Sequence, residues 1–154
     1  MLVLLRRMKT APLKNIVLGR LINDKNPDVK MLASHLLIKD DISLDLEDLQ
    51  KLKELYKEKL YDSVKENLCL IFGKHLKIDS DLSSILQSSL NYSYPGIRKA
   101  AAMGLAQTLD KKYIPVLKNA YKKEGVKSVK EELEKAINKL NFSNCTEPRK
   151  TGER

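Results

Sequence analysis

The stretch YPGIRKAAAMGLAQTL, residues 94–109, decides how the chain is read. An aliphatic anchor, Ile97, is followed at once by a base, Arg98. Small or apolar residues then stand four, seven and eight positions on, at Ala101, Gly104 and Leu105. That spacing puts them on one helical face. The preceding Tyr94-Pro95-Gly96 is a strong turn and helix-start signal. Three further copies follow the same rule: Val29-Lys30 with Ala33, Leu36 and Leu37; Val64-Lys65 with Leu68, Ile71 and Phe72; Val129-Lys130 with Leu133, Ala136 and Ile137. The anchors lie 35, 33 and 32 residues apart. A period in that range marks stacked helix pairs.

Working outward from the anchors, a first helix precedes each anchored one. The periodicity predicts helices over 12–23, from about 28 to 39, 46–59, 63–77, 81–91, 97–109, 111–124 and from about 128 to 140. Asn-Pro in DKNPD, the loop DDISLD, KIDSD and NYSYPG separate them. Asp28, Asp62 and Ser128 are the capping residues expected at three of the anchored helices. Residues 2–9 form a short amphipathic piece. The expected fold is all-α: one domain over 1–142, with helix pairs at about 12–39, 45–77, 81–109 and 111–140. Residues 143–154 turn polar, with Pro and Gly, and are expected to be a disordered tail.

Helix, turn and helix repeated four times, with a base opening each second helix, resembles the HEAT-repeat family. The likeness is greatest to the small HEAT-like repeats of bilin lyases. The resemblance covers residues 12–140 and implies a right-handed α-α superhelix, or solenoid. The family places an Asp five residues before the anchor, bonded across repeats to the base. Here those places hold Asp24, Lys59, Tyr92 and Glu124, so the ladder is expected to be incomplete.

The chain has 154 residues, 29 Lys and Arg against 20 Asp and Glu, and a net charge of +9. The bases are scattered among acids on helix faces, which describes a solvated surface. Two cysteines exclude a dense disulfide framework and point to reduced thiols in the cytoplasm. No apolar run approaches the ~20 residues of a membrane span. The opening MLVLLRRM is too short for a signal-peptide core.

The last helix has one narrow apolar stripe and a polar remainder, as a capping repeat should. VKMLASHLLI, residues 29–38, is apolar nearly all round and should be covered on its outer side. Residues 2–8 align with 35–41 and read either as a short cap or as the remnant of a helix from a missing repeat or contact with another chain.

On a helical wheel the places two, five, six and nine beyond each anchor lie opposite the pair core. In the implied superhelix this side lines the concave groove. On it Met31, His35, Ile38, Leu70, Ala102, Met103 and Ala106 are the expected site for a protein or peptide partner. Lys30, Lys65, Arg98 and Lys130 form a row at helix N-termini. They are either anion-binding, with nucleic acid as the partner, or structural, as the family resemblance implies.

No catalytic motif, metal-ligand spacing or cofactor motif is present. His35 and His75 are each followed by Leu. The His-Glu pairs of the family's iron-binding hydroxylases are therefore missing, as is the aromatic groove of its DNA glycosylases. The expected function is a non-enzymatic interaction module without cofactor. Nucleic-acid binding is the alternative, and a bilin-lyase-like or assembly-factor role is implied by the resemblance alone.

Overall fold

The computed structural model describes residues 2–40 and 42–143, with side chains from residue 12 onward. Among the described residues there are eight α-helices and no strand: α1 (Leu2–Asn23), α2 (Pro27–Lys39), α3 (Leu46–Lys57), α4 (Asp62–His75), α5 (Leu82–Ser89), α6 (Pro95–Ala106), α7 (Ile114–Lys123) and α8 (Lys127–Phe142). A short 3-10 turn, Lys111–Tyr113, leads into α7. The all-α expectation is met. Residues 144–154 lie outside the described residues, and with them all but the first residue of the expected tail.

Local chemistry explains where the helices begin. Asn26, not Asp28, caps α2: its side-chain oxygen accepts the Asp28 N–H at 2.9 Å, and Pro27 occupies the first helical position, where no N–H is needed. Asp45 and Asp48 close a reciprocal capping box on α3. Asp62 and Ser128 lie inside the first turns of α4 and α8, which lack a side-chain cap. The expected break near Pro12 is absent. Pro12 sits within a single 22-residue helix. It removes one N–H from the ladder, and the helix continues through it.

The helices pair in chain order, α1 on α2, α3 on α4, α5 on α6 and α7 on α8, while α2, α4, α6 and α8 also pack side by side in that sequence. The anchored faces fill the interior. Leu68, Ala101 and Leu133, four beyond their anchors, are buried, as are Leu37, Phe72 and Leu105, eight beyond. The first helices contribute Leu21, Leu49, Leu52, Leu55, Leu82, Leu86 and Leu117, all essentially inaccessible. Burying a leucine of this kind stabilises by roughly 1.5–3 kcal/mol.

The tightest junction lies between α4 and α6. A Cβ built on Gly73 would fall inside the Cα of Gly104, and one on Gly104 would lie 3.1 Å from the Cys69 carbonyl oxygen. The two backbones touch because neither residue has a side chain. α1 is tied to α3 by charge: the Lys14 ammonium lies 2.7 Å from buried Asp48 and 3.2 Å from Asp45. The Asp48 hydrogen bond leads in raising the Lys14 pKa above its ordinary value.

Candidate functional site

The second helices α2, α4, α6 and α8 form a row, and in α4 and α6 three sides are occupied. The anchor side meets the first helices. The side three and seven beyond the anchor meets the preceding helix, and the side five and nine beyond meets the next. Asn67 (three beyond Val64) donates to the Ser34 hydroxyl (five beyond Val29) at 2.9 Å. Gly104 (seven beyond Ile97) lies against Gly73 (nine beyond Val64). The open side is therefore centred six beyond the anchor, with the places two and ten beyond on its flanks.

This turns the expected face by about one seventh of a turn. Met31, His35 and Met103 are exposed, and Leu70 and Ile38 are half-buried against the core. Ala102 and Ala106 are not on the surface. They are 0% and 4% accessible, inside the helix row. Cys69, in the same register as Ala102, is buried too. Loss of solvent pushes its thiol up to about 11. The open side carries Met31, Glu66, Lys99 and Glu131 along one flank. His35, Leu70, Met103 and Lys135 run along its middle. The other flank, which the wheel argument had passed over, is Lys39, Lys74, Gln107 and Lys139. Its signal was legible: a base recurs ten residues after three of the four anchors.

At the α6–α8 junction the middle and the basic flank meet. Met103, Gln107, Lys135 and Lys139 surround a shallow depression of about 130 Å³, floored by Ala106 and Ala136, with Glu132 beside them. The chemistry available is apolar contact plus ammonium donors.

The four bases at the helix N-termini are engaged inside the protein. Lys30 donates to the Leu21 and Ile22 carbonyls at 2.9 and 2.8 Å, closing the C-terminal end of α1. Lys65 is buried, its ammonium 4.9 Å from the Tyr56 ring centre and 5.4 Å from that of Tyr92. Arg98 makes a two-pronged contact with Glu124, at 2.7 and 2.9 Å, and donates to the Tyr92 and Ser93 carbonyls. That hydrogen-bonded contact leads in raising the Arg98 pKa and lowering that of Glu124. Lys130 lies 5.0 Å from the Tyr121 ring centre.

Two of these contacts reach the residue five before the next anchor: Arg98 holds Glu124, and Lys65 lies against the Tyr92 ring. Lys30, for which that residue would be Lys59, bonds instead to backbone carbonyls of its own pair. A second cross-repeat contact joins Tyr56 and Ser89, whose hydroxyls lie 2.7 Å apart and which both stand eight before their anchors. The Cys69 sulfur is 3.7 Å from the Tyr56 hydroxyl. Burial raises the Tyr56 pKa.

His35 and His75 do not converge with other ligand types. His75 Nδ1 is 2.8 Å from the Ile71 carbonyl oxygen of its own helix. Among the described residues no group of three His, Cys, Asp or Glu side chains is placed to hold a metal ion. No helix there is long and apolar enough to cross a membrane. No family model, curated protein or solved structure matches the chain.

Proposed function

We propose that the chain is a non-enzymatic protein-interaction module, a right-handed superhelix of four HEAT-like helix pairs that binds a protein segment on the open side of its second helices. The observation that carries this reading is the apolar patch on that side, formed by Leu70 and Met103 in its middle line and Met31 on one flank. Met103 is 37% exposed and Met31 42%, with His35 and half-buried Leu70 between them. Methionine adapts its shape to different partners. Covering such side chains returns part of the ~1.5–3 kcal/mol that each gains on full burial. The superhelical arrangement is supported by the side-by-side packing of successive second helices and by contacts at an offset of 33 residues, such as Tyr56 with Ser89.

Nucleic-acid binding through Lys30, Lys65, Arg98 and Lys130 is the weaker reading, because their heads already hold carbonyls, a carboxylate and aromatic rings. The test is a phage-displayed library of random peptides panned on the full chain. Selected peptides are then titrated against wild type and the Met31→Glu, Met103→Glu double variant. The reading expects affinity to fall at least about tenfold (~1.4 kcal/mol) with the melting temperature nearly unchanged. Peptides that bind both proteins equally would place the binding surface elsewhere.

A further inference from the structure

The open side is asymmetric. One flank alternates in sign along the row: Glu66 and Lys99 are half-exposed and Glu131 is exposed. The opposite flank has a single sign. Lys39 and Lys139 are exposed there, and Lys74 reaches back to place its ammonium 3.2 Å from the Ile38 carbonyl of the neighbouring helix. Lys135, in the middle line, extends the basic strip; its nearest carboxylate, Glu132, is 3.9 Å away. Bases near helix C-termini are favoured by the helix dipole. The dipole does not choose the face, however, and here three helices put the base on the same one.

Resting on the reading above, we infer that the segment bound on this side is an acidic amphipathic helix. Its apolar stripe would lie along Leu70 and Met103, and its carboxylates would face Lys39, Lys135 and Lys139. The depression bounded by Met103, Lys135 and Lys139 has room for one partner side chain, with an apolar floor and ammonium groups at the rim. A phosphate backbone fits less well, since Glu66 and Glu131 line the other flank and, among the described residues, no Phe, Tyr or Trp stands on this side for a base to stack on. A helix laid in a groove with apolar anchors is a common recognition mode, and charge at its edge sets orientation and partner choice.

Fluorescence anisotropy on the full chain tests this with three synthetic peptides of about 18 residues, long enough for one amphipathic stripe. They share the stripe and carry Glu, Gln or Lys on the flank. A short DNA duplex serves as a fourth probe. The Glu peptide should bind at least about tenfold tighter than the Gln peptide, and the Lys peptide should be weakest. Lys39→Glu, Lys135→Glu, Lys139→Glu, all at exposed sites, should melt normally and reverse that order. Equal affinity for Glu and Gln peptides, or an order that survives the reversal, would overturn the inference. Duplex DNA binding more tightly than any peptide, and lost on the reversal, would also overturn it. If none of the three peptides binds while library-selected peptides still do, the acidic helix falls and the interaction module stands. If no library peptide binds either, both fall.

Discussion

The middle of the helix row and its first end solve the same packing problem in opposite ways. Between α4 and α6, Gly73 and Gly104 bring two backbones into contact, with buried Ala100 on the same side of α6. At the first end, the side of α2 that would meet a preceding helix presents Leu32, 59% exposed, and the neighbouring face of α1 presents Ile16, 63% exposed. The last end differs again: the next-facing side of α8 carries exposed Glu134 and Asn138. The lateral faces of the second helices are thus sealed by glycine, left apolar or made polar, depending on what lies beside them. Larger stability losses are therefore expected from substitution in the middle than at the ends.

The sharpest way to break that contrast is Gly73→Ala. The new methyl would collide with backbone, which a side chain cannot relieve by changing rotamer. A loss of roughly 2–3 kcal/mol in urea denaturation is expected. Gly19→Ala, in α1, has nothing within 4 Å of the added carbon, and should gain up to about 1 kcal/mol from helix propensity. Equal effects at the two glycines would mean that α4 and α6 are not in contact.

Next in size is the Arg98–Glu124 rung, whose carboxylate side chain is 5% exposed. Glu124→Gln should cost about 2 kcal/mol at neutral pH, since it leaves a nearly buried guanidinium without its counter-charge. The Glu124 pKa is lowered in the folded state, so its contribution is complete above the ordinary glutamate value of about 4.3. It is lost as the pH falls from there through the lowered folded value. A pH series of denaturation curves should show this acid-side loss in wild type and a shallower one in the variant. Parallel curves would show that the rung is solvated.

Leu109 offers a gain instead. It follows α6 with φ of 58° and is half-exposed. Leu109→Gly removes the strain of a side chain in the left-handed region and should stabilise by about 1 kcal/mol. A loss would mean that the leucine side chain contributes more by packing than the backbone strain costs.

The smallest effect belongs to the open end. Leu32→Gln should change stability by less than about 0.5 kcal/mol, as befits an uncovered surface position. A drop of several times that size, or one that depends on protein concentration, would show that this end is covered in solution.

Much of the architecture was legible because it is periodic. Four anchors about 33 residues apart, and turn signals such as Tyr94-Pro95-Gly96, fix the number and order of the helices between residues 12 and 142. The start of α2 moved because Asn26 offered a better cap than Asp28, whereas α4, α6 and α8 begin one or two residues early with no side-chain cap. Pro12 misled because proline marks a helix start far more often than an interior. The site was legible only in part. A wheel drawn for one helix pair knows the anchor side but not the two lateral neighbours. It therefore placed Ala102 and Ala106 on the surface, and it missed the bases ten residues beyond the anchors. The small residues at 73, 102, 104 and 106 were the available clue: helices that pack through small side chains pack closely, and such positions face another helix rather than a partner.

The division of each second helix into an inner and an open side is the central claim, and thiol chemistry reads it directly. In a Cys145→Ser background, the labelling rate of native Cys69 can be set against that of a Met103→Cys, Cys69→Ser protein under folded conditions near pH 8. Cys69 is inaccessible and its pKa is pushed up to about 11, so both access and thiolate fraction oppose reaction. The account predicts that the thiol at 103 reacts at least about a hundredfold faster, and that Cys69 is modified only through opening of the fold. Comparable rates at the two positions would contradict it, because the face five residues beyond the anchor would then be as open as the face six beyond.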